Sequence, residues 1–295
     1  MNDSRVRAPR AKPKLGQHFL NDTGASVRIV ESLGDLLQST VLEIGPGRGA
    51  LTSLLARRAR RVIAVEKDRV LAAQLRMHFS LAPNVEIIEG DILAIDLDSL
   101  FGPKPGSTRP GMELAPQKVR VVGNLPYFIT SDILLRLFEY RKYFETFVIM
   151  VQKEVADRLA AKPGNKEYGL LSATAQLYTK VEKLFTLPPV AFSPPPKVHS
   201  TVIRMEPSQR LAKLHVDEAA FISFLKLSFS QKRKTLWNNL KVRYPSESLN
   251  RALAKAKIKP NTRAEALSLE ASANIFRELA SHPSEASFGA NSRLS

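Results

Sequence analysis

The 295-residue chain contains no cysteine. That absence removes thiolate catalysis, cysteine-based zinc sites and any disulfide framework, and with the last the class of disulfide-stapled secreted domains. The five histidines are scattered and form no HxxxH pair, so no metal site is expected. No apolar stretch reaches the ~20 residues a membrane span needs. The N-terminal MNDSRVRAPRAKPK lacks the hydrophobic core of a secretory signal. A cytoplasmic protein is therefore expected. Acidic residues are few: 28 Asp and Glu face 44 Lys and Arg, a net charge of +16. Such an excess calls for a polyanionic partner, nucleic acid or an anionic membrane surface. Arg5, Arg7, Arg10, Lys12 and Lys14 make residues 1–14 a basic arm. It reads as a solvated tail, an arm that touches RNA, or an organellar transit peptide.

What the chain does have is ordinary globular material. It is 44% hydrophobic and 24% charged, and its length suits about two domains at ~150 residues each. Up to residue 207, apolar runs alternate with helical periodicity. VLEI (41–44), RVIAVE (61–66), VEIIEG (85–90), VRVV (119–122) and TFVIMV (146–151) read as strands buried on both faces. Residues 22–37, 49–59, 68–79 and 130–140 read as helices between them. This alternation predicts a parallel, doubly wound α/β sheet of the Rossmann-like kind, over residues 15–207. VEKLFTLPP and TVIRMEP predict two late strands, as a hairpin closing the sheet edge. Residues 102–118 hold four prolines and three glycines and predict a surface loop. Beyond Pro207 the character changes: residues 208–263 carry 13 Lys or Arg against three acids. Helical patterns at 217–229, 231–243, 246–257 and 270–280 predict a smaller all-helical domain over 208–281. Lys232, Arg233 and Lys234 are its first candidates for gripping RNA phosphates; they also suit a merely solvated helix face. The tail 282–295 is expected to be disordered.

VLEIGPGRGAL places Gly45, Gly47 and Gly49 where the first strand turns into a helix. Glycines admit a close backbone approach by a nucleotide, and the helix offers free N–H groups. Gly45-x-Gly47-x-x-Ala50, with Glu66 about 20 residues on, also fits the dinucleotide fingerprint. The loop alone leaves NAD and other adenosine cofactors open. Three carboxylates narrow the choice. Glu43 lies in the strand, where it would repel a pyrophosphate and suits a cationic amino-acid moiety. Glu66 closes the second strand, placed to accept from ribose hydroxyls. Asp91 follows the third, placed to accept from an adenine amine. Singly, each is what a solvated strand end looks like; together they describe an S-adenosylmethionine site.

The fourth strand ends in Asn124-Leu125-Pro126-Tyr127. Ligands of open α/β sheets bind beyond the carboxyl ends of the strands, so this tetrapeptide should face the reacting end of the cofactor. It holds no strong base and no nucleophile. It offers two acceptors, the Asn124 side-chain oxygen and the Leu125 carbonyl, and an aromatic face, Tyr127. Those suit the exocyclic amine of a planar base turned out of its stack. Acceptors out of the ring plane would favour a pyramidal nitrogen and stabilise its growing positive charge. Prolines 194–196 then stiffen AFSPPPKVHS, and Phe192 is a candidate for the other face of the base. A proline-rich corner with Phe192 in the core fits that composition equally well.

KLGQHFLND (14–22), EIGPGRGALT (43–52), VEKD (65–68), GDIL (90–93), GNLPY (123–127), FSPPPKVHS (192–200), FSQKRKTLWNNL (229–240) and TRAEALSLE (262–270) together carry a close resemblance. Over residues 14 to 280 the chain resembles the KsgA/RsmA family of small-subunit ribosomal RNA adenine dimethyltransferases. The resemblance implies a methyltransferase domain followed by an RNA-binding domain. It also implies transfer of methyl groups from S-adenosyl-L-methionine to two adjacent adenines near the 3′ end of the RNA, during maturation of the 30S subunit. It implies cofactor contacts at His18, Leu20, Gly45, Glu66, Asp91 and Asn124; Glu43 and Gly47 join them from the reading above. Position 18 is often Asn in the family. For the target base it implies Asn124, Tyr127 and Phe192, with Leu125 and Pro126 in the same turn. A monomer without metal is expected. The alternatives are an Erm-type enzyme of large-subunit RNA and a non-catalytic RNA-binding assembly factor.

Overall fold

Apolar side chains at nearly every position of a strand require cover on both faces, and the chain supplies it by alternating strands with helices. The computed structural model describes residues 17–102 and 119–281. The basic arm (1–14), the proline-rich stretch 103–118 and the tail 282–295 lie outside the described residues.

The strands are β1 (Phe19–Leu20), β2 (Thr40–Ile44), β3 (Arg61–Glu66), β4 (Val85–Glu89), β5 (Val119–Asn124), β6 (Phe144–Gln152), β7 (Thr179–Leu187), β8 (Phe192–Ser193) and β9 (Ser200–Pro207). The helices are α1 (Thr23–Glu31), α2 (Thr52–Arg58), α3 (Arg69–His78), α4 (Leu97–Phe101), α5 (Thr130–Glu139), α6 (Lys153–Leu159), α7 (Leu170–Tyr178), α8 (Arg210–Leu214), α9 (Glu218–Ser228), α10 (Leu236–Leu240), α11 (Ser246–Lys255) and α12 (Leu269–Ser281). Seven strands form one sheet in the order β4-β3-β2-β5-β6-β9-β7, and β1 pairs with β8 in a separate antiparallel ribbon. The pairs from β4 through to β6 are all parallel. This is the expected doubly wound sheet, with the late strands β7 and β9 adjacent at its far edge.

Every residue of β2 is buried, as are five of six in β3. The expectation of full burial fails at β4, whose residues are intermediate or exposed. The sheet order explains this: β4 is the edge strand, and its Glu86 and Glu89 form ion pairs with Arg61 of β3 and Arg76 of α3. Local chemistry sets the helix starts. Asp22, Asp68, Asp96 and Asp217 each accept backbone N–H groups at the openings of α1, α3, α4 and α9, satisfying donors that a helix N-terminus leaves free.

The chain forms two units. One takes in the chain up to Lys153 together with Lys183–Arg204; the other takes in Glu154–Glu182 and the chain from Met205. The second unit therefore includes α6 and α7, which lie upstream of the boundary drawn at residue 207. From Arg210 onward its described elements are all helical. Phe221, Phe224 and Phe276 pack together there, with centroids 5.4 to 6.0 Å apart. The basic pattern over 231–243 is helical only at Leu236–Leu240, and Gln231–Lys234 form an exposed turn.

In the first unit, β5 approaches β2 closely because residue 123 is glycine. A Cβ there would stand 2.7 Å from the Ile44 carbonyl oxygen. Gly123→Ala must push the two central strands apart. The expected cost is about 1–3 kcal/mol of stability, read as a fall in the thermal midpoint; an unchanged midpoint would show that the sheet yields freely here.

Candidate active site

The sheet order reverses between β2 and β5, the place where open α/β sheets bind ligands. A cavity of about 410 Å³ lies there, lined by the chain segments 17–20, 43–51, 65–68, 90–92 and 124–129, with Ile133. The glycine turn after β2 and the Asn-Leu-Pro-Tyr turn after β5 are thus neighbours. A Cβ on Gly45 would lie 3.7 Å from the Asn124 carbonyl oxygen.

The turn after β2 has Gly45 at φ 65° and Gly47 at φ 59°, the left-handed region that glycine enters without steric cost. At Gly47 a Cβ would also sit 3.0 Å from the Phe19 ring. The turn is held by Glu66. Its Oε2 accepts from the Gly47 N–H at 3.0 Å, and its Oε1 accepts from the Asp68 N–H at 2.8 Å. Glu66 is buried, and burial pushes its pKa up against the lowering effect of those two N–H donors. Each carboxylate oxygen keeps a second lone pair for another donor.

Glu43 is 1% exposed, and its Oε2 has no partner among the described residues. Burial pushes its pKa up to about 7, with Thr52 opposing and the Glu66 charge reinforcing the rise. Asp91 differs. Its Oδ2 accepts from Lys67 Nζ at 2.6 Å and its Oδ1 from the Leu93 N–H at 3.0 Å. The Lys67 ammonium holds the Asp91 carboxyl below the usual range.

Asn124 donates its amide nitrogen to the His18 carbonyl at 2.9 Å. That bond fixes the amide's orientation and leaves Oδ1 as the acceptor. Leu125 is buried and donates its N–H to the Met150 carbonyl at 3.1 Å. The Pro126 carbonyl accepts from the Thr130 hydroxyl at 2.9 Å, tying the turn to the start of α5. The Tyr127 hydroxyl bonds to Ser200 Oγ at 2.8 Å, and burial pushes its pKa up. The His18 ring stacks on Tyr127 with centroids 5.6 Å apart, and His18 Nδ1 lies 2.8 Å from the Pro194 carbonyl oxygen.

The structure brings His18, Leu20, Glu43, Gly45, Gly47, Glu66, Asp91, Asn124, Leu125, Pro126 and Tyr127 to the cavity. It does not bring Phe192 there. Phe192 is 3% exposed and packs in the core with Leu20 and Ala191, because β8 pairs with β1 and turns that ring inward. Of the two compositional readings of AFSPPPKVHS, the proline-rich corner over a core phenylalanine matches. Lys232, Arg233 and Lys234 belong to the second unit, where all three are exposed. Three residues were not singled out in the sequence. Lys67 and Ser200 partner Asp91 and Tyr127 across 24 and 73 positions of chain. Phe128 lines the cavity while 75% exposed; two aromatics in a row at the strand end were its only signal. No three carboxylates and histidines gather to hold a metal among the described residues.

A family model described as ribosomal RNA adenine dimethylase matches residues 8–281. The chain belongs to the ribosomal RNA adenine dimethylase family. A ribosomal RNA small subunit methyltransferase A from Koribacter versatilis is 57% identical, covering 92% of this chain and 95% of that protein. One from Acidobacterium capsulatum is 52% identical, covering 91% of each. Among solved structures, a dimethyladenosine transferase from Plasmodium falciparum superposes with a TM-score of 0.72 at 26% identity, covering 89% of this chain and 96% of that one. The 23S rRNA methyltransferase ErmE gives 0.64 at 28% identity, covering 89% and 99%. In this dimethylase fold the carboxylates within β2, at the end of β3 and after β4 share one cavity with the amide that ends β5.

Burial of Glu43 has a measurable consequence. Its pKa rises from 4.5 to about 7 in the fold, so the folded protein keeps this proton longer than the unfolded chain. The associated stability is fully present below about pH 4.5 and is lost as pH rises through 7. The span corresponds to about 3 kcal/mol. Glu43→Gln should flatten that decline in denaturant midpoints taken at pH 5 and pH 8. An unaltered pH slope would mean that Glu43 is already charged in the fold.

Proposed function

We propose that this dimethylase transfers methyl groups from S-adenosyl-L-methionine to the exocyclic amines of two adjacent adenines near the 3′ end of small-subunit ribosomal RNA. It does so in the cytoplasm, as a monomer, on the immature 30S subunit. The observation that carries the reaction is the Asn124 amide: its nitrogen is committed to the His18 carbonyl, so its oxygen is available as an acceptor beside the glycine turn. The choice of small-subunit over large-subunit RNA is supported by the names of relatives above 50% identity, against 28% for ErmE.

The donor set fits the cofactor. When bound, S-adenosyl-L-methionine supplies a methyl on a sulfonium centre, activated for attack by a nucleophile. The partnerless Glu43 Oε2 suits a cationic amino-acid end, where a positive charge also draws the carboxyl towards ionisation. Glu66 holds the turn with one lone pair of each oxygen and offers the others to ribose hydroxyls. Asp91, anionic beside Lys67, accepts from the adenine amine.

At the target base the chain works by position and acceptors. The Asn124 oxygen and the Leu125 carbonyl accept from the adenine amine, drawing its hydrogens out of the ring plane. That localises the nitrogen lone pair and stabilises the charge developing on it. Tyr127 supplies a ring for the base, braced by Ser200 at its hydroxyl and by His18 along its face. Phe192 stays in the core and offers the base no face. Phe128 gives the cavity mouth an exposed ring, and an exposed large aromatic is the informative exception on a protein surface. Lys232, Arg233 and Lys234 contribute phosphate contacts in the second unit. These lysines and arginines give binding energy without reading sequence.

Asn124→Ala removes an acceptor used most in the transition state. Single-turnover methyl transfer should slow by ~10²-fold or more, by analogy with the loss of one oxyanion-hole donor, while RNA affinity stays near the parent's. Full activity in that variant would refute the acceptor role.

Phe128→Ala should leave thermal stability unchanged, since the ring is exposed. It should raise KM for the RNA by about tenfold through the loss of one stacked base. An unchanged KM would make Phe128 a bystander.

A further inference from the structure

The second unit contains a cavity of its own, about 340 Å³, between the start of α7 and the turn that follows α9. Its volume is within the range of small-ligand sites. One buried polar group in its wall has no partner. Asn239, 3% exposed, donates its amide nitrogen to the Ser228 carbonyl at 2.6 Å and to the Gln231 carbonyl at 3.3 Å. Those two acceptors fix which end of the amide is nitrogen, and Oδ1 is left without a donor. Tyr168 beside it is 2% exposed. Burial pushes its pKa up to about 12, so it stays a neutral donor and acceptor.

The rest of the wall is cationic and aromatic. Lys232 and Lys234 line it, and Lys232 Nζ is steadied by the Lys166 carbonyl at 2.9 Å. The nine-residue α7 opens here, with backbone N–H groups that favour an anion. The Phe229 ring stands 6.0 Å from that of Tyr168. Two acids, Glu167 and Glu265, also reach the cavity, but each lies within 4 Å of an arginine, Arg158 and Arg263. Gly169 adds an opening: its φ is −157°, which any residue adopts, and a Cβ there would meet nothing within 4 Å.

The geometry points to a second nucleotide seat, in which one unstacked ribonucleotide of the RNA places its phosphate by Lys234 and the α7 N-terminus and its base against Phe229, donating an N–H to Asn239 Oδ1. This rests on the RNA substrate proposed above. It adds a contact that phosphate-binding lysines alone do not provide, because a seated base recognises an unstacked nucleotide as well as charge. The N–H donor requirement disfavours an acidic peptide side chain, which carries acceptors only.

Gly169→Leu fills the opening without backbone strain or change of charge. Amide NMR signals of the full-length parent, including the Asn239 side chain, should shift saturably with millimolar nucleoside 5′-monophosphates and not with inorganic phosphate. The shifts should vanish in Gly169→Leu. Equal shifts with phosphate alone, or none with any monophosphate, would overturn the seat. With unmethylated small-subunit RNA, Gly169→Leu should bind about tenfold more weakly or worse, the loss of one stacked base, with the parent's salt slope and S-adenosyl-L-methionine affinity. Parent-like RNA affinity would overturn the RNA assignment of the seat. Failure of the parent to bind RNA at all would strike the function above, while the monophosphate titration would still decide the seat.

Discussion

The buried carboxylate of Glu66 organises the first unit. Its two oxygens accept from the N–H groups of Gly47 and Asp68, so one side chain ties the turn after β2 to the entrance of α3. Asp68 in turn caps α3 through its own carboxylate. Burying a carboxylate costs free energy unless hydrogen bonds offset it. The raised pKa of Glu66 shows that burial outweighs its two N–H donors. The two lone pairs left over are the ones a ribose can use. The same group therefore holds the loop in shape and keeps those lone pairs free.

Charge is sorted by depth. The cavity wall carries Glu43, Glu66 and Asp91, while the chain as a whole carries +16. A cationic methyl donor and a polyanionic RNA make opposite demands, and the fold meets them at different places. The acids sit at the ends of parallel strands, and burial leaves Glu43 and Glu66 weakly screened there. The lysines and arginines of the turn at Gln231–Lys234 are exposed to solvent. Asp91 is the junction, since Lys67 bonds it directly across the edge of the cavity.

Much of the fold was legible because its signals are local. Apolar runs marked the strands of the sheet, and helical periodicity marked the segments between them. The glycine turn and the Asn-Leu-Pro-Tyr turn were readable as sites because each sits at a strand end, and a parallel sheet gathers those ends on one side. Edge status was not readable: β4 is as apolar in sequence as its neighbours, and only the strand order leaves it half exposed. Helices α6 and α7 carry weaker patterns, and α7 packs in the second unit against α8 and α9, more than thirty positions away.

By itself the sequence determined the kind of chemistry: which carboxylates end which strands, where glycine permits a tight turn, and that one amide and one tyrosine follow β5. Those are properties of residue type and spacing, carried by backbone geometry. The tertiary structure alone decided the partners. It turned the Asn124 nitrogen towards His18, bonded Tyr127 to Ser200 across 73 residues, buried Phe192 and exposed Phe128. It also left Asn239 Oδ1, on a residue that lines the second unit's cavity, without a partner. Hydrogen-bond direction and burial are set by what the whole chain brings within 3 Å, and no local pattern encodes that distance.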